Sequence, residues 1–287
     1  MEYIELKNYP CMHGYKIKKT EIDKIDFALC REPSETLESY YSRQKIKPTL
    51  LSNGGFFDTS NGGTIFTYVD DKKVLAYQSD LVDGIGVKDN GELVLGKYNS
   101  SYRDFVCGYP VLIKNGQPVS SKIGSEIDYN ARRTILGYDD NYVYLLAVEL
   151  PGYKFSKVKT ALLSLGIKNA INLDGGGSTR ILENGKRITK TVASRAVDNV
   201  VAFYINSKKT VYRVQTGAFS KEENAKAYVE KIRKLNDSIG AGYKNAYVRK
   251  IGILYKVQVG AFSKKENAEK VMNDLKSKGY GAFITTE

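Results

Sequence analysis

The chain has 287 residues and a formal net charge of +12, enough for one large domain or two ordinary ones. Apolar residues make up 42%, so a packed core can form. No run approaches the roughly 18 consecutive apolar residues of a membrane-spanning helix. One histidine, His13, and three scattered cysteines, Cys11, Cys30 and Cys107, exclude a zinc site of His ligands and a disulfide framework, with a single Cys11–Cys30 bridge left open.

The N-terminus, MEYIELKNYP, lacks a basic segment followed by an apolar one, so no signal peptide is visible. A cytosolic chain, exit by another route, or a trimmed sequence are the alternatives. His13, in PCMHGYK, reads as a satisfied surface or turn histidine, which directs any proton transfer to carboxylates. IDFALC and KPTLLS are strand-like. From 53 to 115 the texture is all-β, with TIFTYV, KVLAY and GELVLG between Asp and Gly turns, and DNGE and KNGQ mark tight hairpins. YVYLLAVEL, 142–150, is a buried strand. A helix follows, with its period in Val158, Leu162, Leu163 and Leu165 and a stop at Gly166. AINLDGGGSTRIL reads strand, glycine loop, strand, and RAVDNVVAFYI is a last strand. This predicts an α+β region with a large mixed or antiparallel sheet over 1–206.

After a polar linker, NSKKTV, the chain repeats itself. YRVQTGAFSKEENAKAYVEKI from Tyr212 returns 43 residues later as YKVQVGAFSKKENAEKVMNDL from Tyr255. Each copy is an alternating strand followed by an amphipathic helix, with Ser220 and Ser263 as expected N-caps. NAYVRKIGILY and GYGAFITTE add strands. The order βαββαβ over 210–287 predicts one ferredoxin-like sheet with two helices on one face and the other face open. Residues 208–287 hold 17 Lys/Arg against 8 Asp/Glu, so +9 of the net charge lies there. That suits a polyanion, or simply a lysine-rich surface.

The doubled VQxGAFS and this element order resemble the SPOR domain. The resemblance implies that the open sheet face binds peptidoglycan glycan strands, preferentially those stripped of stem peptides. Alternation puts Arg213 with Gln215, and Lys256 with Gln258, on matching faces. Glutamine amides both donate and accept, which suits sugar hydroxyls and acetamido groups; pairing of the two glutamines across the pseudo-dyad is the alternative. Tyr212, Tyr247 and Tyr255 offer stacking surfaces, and Arg213, Arg249 and Lys256 reach acidic groups. The RNA-binding aromatic signature of similar sheets is absent, so no specific nucleic-acid partner is expected.

Four segments of the first region carry polar residues that a core alone does not demand: LLSNGGFFD (50–58), NARRTILGYD (130–139), INLDGGGSTRIL (171–182) and SRAVDNVVAFY (194–204). In DGGGS, three glycines permit close backbone approach, and successive amides can form an anion-binding nest; a plain tight hairpin is the alternative. No Gly-Lys-Ser/Thr follows, so it is not a P-loop. Asp174 at the strand end can act as base, position a water or ligate a metal.

All four segments, in this order, resemble the phosphodiester glycosidase family, which includes the lysosomal enzyme that uncovers mannose 6-phosphate by removing N-acetylglucosamine from a phosphodiester. The matching positions are Asn53–Phe57, Arg133–Thr134, Leu165–Gly166, Asn172–Ser178, and Arg195, Val197 and Asn199. One departure stands out: where many relatives have Asp-Gly-Arg, this chain has Glu149-Leu150-Pro151-Gly152, a carboxylate without the arginine.

The resemblance implies that Arg133, Arg195 and the Gly175, Gly176 and Gly177 amides hold a phosphate. Asp174 and Glu149 are the carboxylates that act as base, nucleophile or acid. Asn53 and Asn199 fix sugar hydroxyls, with Gly54, Asp58, Thr134 and Ser178 completing the substrate site. No cofactor is demanded; a Ca²⁺ or Mg²⁺ on Asp and Asn oxygens is compatible. The whole chain reads as a cell-wall glycan hydrolase held on peptidoglycan, with the layout of a phage endolysin or autolysin. The alternatives are a non-enzymatic wall-binding protein with an inactive catalytic fold, and a weak, salt-sensitive nucleic-acid binder.

Overall fold

The computed structural model describes residues 1–31, 34–60, 63–77, 83–120, 124, 127–190, 195–205, 211–235, 239–240, 242–262 and 265–286. The chain divides into two units, Met1–Ser207 and Lys208–Glu287.

Three antiparallel sheets build the first unit. The largest has seven strands in the order Glu2–Glu5, Met12–Lys18, Tyr142–Tyr153, Ala131–Tyr138, Asn169–Asn172, Val111–Lys114, Gln117–Pro118. A five-stranded sheet runs Lys186–Arg187, Ile181–Glu183, Leu50–Asn53, Asn199–Ile205, Ile22–Leu29. Another runs Lys73–Ala76, Tyr68–Asp70, Tyr102–Cys107, Gly84–Lys88, Leu93–Gly96. The expected large antiparallel sheet is thus joined by two smaller ones, and the inner faces of the three meet in one core that includes Ile17, Phe27, Leu50, Ile85, Leu145 and Phe203.

Strand Tyr142–Tyr153 shows why its sequence is a continuous apolar run rather than an alternating one. Leu145 and Ala147 face the common core. Leu146 and Val148 face the opposite way, into a second core under helix Phe155–Ser164. Both faces are buried, so both must be apolar. The helix buries Phe155, Val158, Ala161 and Leu162, while Leu163, expected to share that face, is exposed. A short helix, Leu37–Arg43, escapes the sequence reading because two turns carry little periodicity. Thr36 Oγ1 caps it by accepting the Ser39 N–H at 3.2 Å, and Leu37 and Tyr40 cover the outer face of the second sheet. At KNGQ, Asn115 and Gly116 both take positive φ (52° and 76°), the conformation that the tight two-residue hairpin requires.

The second unit is a four-stranded antiparallel sheet in the order Tyr247–Ile251, Leu254–Phe262, Tyr212–Phe219, Phe283–Thr286, with helices Glu222–Arg233 and Lys265–Ser277. Val214, Val257 and Val259 pack against Ala225, Val229, Ile232, Ala268, Val271 and Leu275. Ser220 is not an N-cap: the first helix starts at Glu222 with Lys221 in the cap position and no side-chain cap bond. Glu222 and Glu223 in the first turn and Lys231 and Arg233 in the last complement the helix dipole instead. Ser263 lies outside the described residues.

Candidate active site

Strand Asn169–Asn172 belongs to the large sheet, whereas Ile181–Glu183 belongs to the second sheet. The DGGGS segment therefore crosses between sheets and is not a hairpin turn. Asn53, at the end of Leu50–Asn53, ties the crossing together. Its Nδ2 donates to the Asp174 carbonyl at 2.7 Å, and its Oδ1 accepts from Thr134 Oγ1 at 2.9 Å and from the Arg180 N–H at 3.1 Å. The Asp174 N–H donates to the Gly54 carbonyl at 3.1 Å. Asn53 and Thr134 are thus committed to holding the two sheets in register at the site. Gly54 is buried against Asn199, whose Oδ1 lies 2.2 Å from where a Cβ would stand, so a side chain there would displace the Asn199 amide. Asp58 accepts from Ser60 in an adjacent turn and does not line the cavity described next.

A cavity of about 310 Å³ opens beside Asp174, lined by Asn172, Gly175, Gly176, Arg132 and Arg133, with Phe56, Phe66, Tyr109, Ile127, Tyr129, Ala131 and Phe155. Gly175 approaches the next strand so closely that a Cβ would stand 2.7 Å from the Arg132 carbonyl. The Gly175 N–H donates to Asp174 Oδ1 at 2.8 Å, so this amide serves the carboxylate and not an incoming anion. Burial pushes the Asp174 carboxyl above the usual carboxylate range, opposed by Ser178, the Gly175 N–H and the Arg195 charge. Arg195 is exposed and lies over Gly177, with Nη1 3.6 Å from the site of a Cβ. Asn172 Nδ2 donates to the Tyr109 carbonyl at 2.8 Å, and its buried Oδ1 has no partner among the described residues. Asn199 donates to Thr64 Oγ1 at 3.1 Å, and its Oδ1 is likewise unpartnered among the described residues.

Arg133 is 6% exposed. One Nη donates to the carbonyls of Ile127 (2.6 Å) and Tyr129 (2.8 Å), and the guanidinium stacks 3.9 Å from the Phe155 ring centroid. Among the described residues no carboxylate pairs with it, and burial pulls its pKa down. A fixed, buried guanidinium that no described carboxylate pairs with is a ready anion site.

Glu149 does not line the cavity. It is buried, accepting from the Lys190 N–H at 2.6 Å and contacting His13 Nε2 at 3.4 Å. Burial raises its pKa, but His13, the Lys190 N–H and the Arg132 charge outweigh this, and the net shift is downward. His13 itself is not a surface residue: it is buried on strand Met12–Lys18, bonded to Tyr3 Oη at 3.0 Å as well as facing Glu149. Sequence reasoning passed over Arg132, Phe66 and Tyr129, and placed Phe56 in the matched NGGFF motif without a role; the doubled arginine of NARRT is the one signal that pointed to Arg132. Among the described residues the only clustering of three acidic side chains is Asp26, Asp70 and Asp104. It is partly neutralised by Lys24 and Arg103 and lies outside this cavity. The cavity's own set, one carboxylate among guanidinium groups, fits an anion better than a Ca²⁺ or Mg²⁺.

On the second unit's open face, register aligns Phe283, Gln215, Gln258 and Tyr247 in one row across the sheet. Tyr247 Oη donates to Gln258 Oε1 at 3.0 Å and accepts from Arg213 Nη1 at 2.6 Å. Gln215 Oε1 is buried without a partner among the described residues. Tyr212 and Tyr255, proposed as stacking surfaces, instead pack on the core under the helices. Phe283, which the sequence reading did not single out, is 52% exposed at the end of the glutamine row.

The family model for phosphodiester glycosidase matches residues 48–204, and that for the SPOR domain matches residues 208–286. The chain belongs to the phosphodiester glycosidase family and carries a C-terminal SPOR domain. The human N-acetylglucosamine-1-phosphodiester alpha-N-acetylglucosaminidase is 26% identical over 164 residues, 47% of this chain. The match spans about a third (32%) of that relative's length. The catalytic domain of the zebrafish enzyme of that name, auto-inhibited by its pro-peptide, shares the fold at TM-score 0.57 and 18% identity, covering 71% of this chain and 87% of that one. A hypothetical protein from Synechocystis superposes at TM-score 0.60 with 13% identity, covering 71% and 61%.

Proposed function

We propose that the first unit hydrolyses a sugar 1-phosphodiester of a bacterial wall polymer and that the SPOR unit holds it on peptidoglycan. The observation that carries this reading is Arg133: a buried guanidinium without a carboxylate partner among the described residues, in one cavity with a carboxyl whose pKa burial has raised. The bond to break is C1–O. Water adds at C1, Asp174 takes the water's proton, and the C1–O electron pair leaves on a phosphate monoester. That leaving group is stable as an anion, so the cations need only meet charge that grows on phosphate oxygen. Phe56, Phe66 and Tyr129 at the cavity supply apolar surface for a sugar ring.

Tethering to glycan strands raises the effective concentration of wall-linked substrate without changing the site. In the second unit the row of Tyr247, Gln258, Gln215 and Phe283 is the glycan platform, with the exposed Phe283 ring offering a stacking surface. The endolysin role adds one demand, that purified protein added from outside lyse whole cells.

Phosphorus NMR of teichoic-acid-bearing walls during digestion tests the hydrolysis. The account expects phosphodiester signal to convert to phosphomonoester. Stable phosphodiester, with the protein still pelleting with the walls, would leave a binding protein with an inactive catalytic fold.

A further inference from the structure

Arg132 and Arg133 are consecutive, so a regular strand would send them to opposite faces. Both nevertheless line one cavity. Register explains how: Ala131 pairs with Tyr153 and Arg133 with Val148, so the single residue Arg132 faces the four-residue excursion Glu149–Gly152. Irregular pairing of this kind re-aims a side chain. Glu149 stands at the start of the excursion, with Oε2 3.8 Å from Arg132 Nε. Behind it, Tyr3 Oη meets His13 Nδ1, and His13 Nε2 meets Glu149 Oε1. In these contacts Nδ1 faces the tyrosine hydroxyl and Nε2 faces the carboxylate. The Lys190 N–H fixes the same oxygen. Arg133 spends one Nη on two carbonyls. Arg132 Nε is buried without a hydrogen bond among the described residues, and its side chain is 26% exposed.

We propose that Arg132 is a second phosphate-contacting guanidinium, specific for the charged half of the substrate, and that Glu149, with His13 and Tyr3 behind it, positions Arg132 and takes no part in the chemistry. This rests on the phosphodiester reading above. It reassigns Glu149 from catalytic carboxylate to positioning residue: the carboxylate lies off the cavity, and its oxygens face His13, the Lys190 N–H and Arg132.

The test combines two readouts on the full chain. The first is titration with inorganic phosphate by calorimetry. The second is steady-state kinetics on a sugar 1-phosphodiester and on an uncharged aryl glycoside of the same sugar. Arg132→Gln is expected to weaken phosphate binding and raise KM for the phosphodiester by roughly 10–100-fold, the worth of one charge-assisted hydrogen bond, with the aryl glycoside changed less than about threefold. Glu149→Gln is expected to give a smaller KM effect with kcat nearly kept, and no further loss when added to Arg132→Gln. If Glu149→Gln does not fold, His13→Gln, which keeps a donor toward the carboxylate, takes its place in the cycle with the same expectation. Unchanged phosphate affinity in Arg132→Gln, or a kcat collapse from Glu149→Gln that adds to Arg132→Gln, overturns the assignment. A wild-type chain that neither binds phosphate nor turns over the diester defeats the underlying reading instead, which separates the two failures.

Discussion

Replacing Arg133 with methionine separates the structural from the functional use of this side chain. The substitution removes two charge-assisted hydrogen bonds, to Ile127 and Tyr129, worth about 1.5–3 kcal/mol each. It also removes a desolvated cation–π contact with Phe155 of about 2 kcal/mol. Against this, it relieves the burial of a guanidinium with no carboxylate partner among the described residues, a cost of several kcal/mol. Methionine fills similar volume beside Phe155. The opposing terms nearly cancel, so the expected stability change is within ~2 kcal/mol, a few degrees in Tm for a unit of this size. Activity has no such offset. Loss of one preorganised group that meets developing charge costs about 10²–10³ in rate. Thermal unfolding and kcat/KM on a sugar 1-phosphodiester, measured on the same preparation, give both numbers. A folded Arg133→Met variant with kcat/KM within threefold of wild type would refute the reasoning that Arg133 is the anion site.

Three further expectations follow from the electrostatics and the sheet face. Asp174 must be ionised to take a proton, and burial lifts its pKa above the ordinary 3.8, so kcat/KM should fall on the acid side at a pH above 3.8; Asp174→Asn should abolish turnover while wall pelleting persists. Asp70 is raised to about 6 by burial and by Asp26 and Asp104, so the folded state binds the extra proton and stability falls as pH rises from 3.8 through about 6. Asp70→Asn should therefore gain ~1–2 kcal/mol at pH 7.5, after discounting a ~3 kcal/mol upper bound for partial exposure, and almost nothing at pH 4; equal gains at both pH values would count against this. Phe283→Ala, at an exposed position, should leave Tm within about 2 °C but weaken pelleting with peptidoglycan several-fold, whereas Phe262→Ala, which removes a side chain packed on the core, should chiefly lower Tm.

Much of the fold was legible because its signals are local. Asn-Gly turns marked hairpins, the 43-residue repeat marked the second unit, and the apolar run at 142–150 marked a strand buried on both faces. What escaped depends on long-range placement. Nothing local in LDGGGST says that the flanking strands enter different sheets, so a hairpin stayed open as an alternative. The structural use of Asn53 and Thr134 stayed hidden for the same reason: a buried amide that joins two sheets and one that binds sugar look alike in sequence. Tyr212 and Tyr255 fall on the core face, on the strand residues that alternate with the glutamine row. Phe283 was missed because it sits on a strand outside the repeat motif, and Arg132 because only the irregular pairing opposite Glu149–Gly152 brings it to the same cavity as Arg133.

The central claim is that this chain cuts a sugar–phosphate bond in a wall polymer. Mass spectrometry of the products released from purified Gram-positive walls tests it most directly, with intact walls beside walls stripped of teichoic acid and Asp174→Asn as control. The account predicts new reducing sugar ends together with free phosphomonoesters, from intact walls only and absent with Asp174→Asn. New reducing ends from stripped peptidoglycan, or products undiminished by Asp174→Asn, would contradict it.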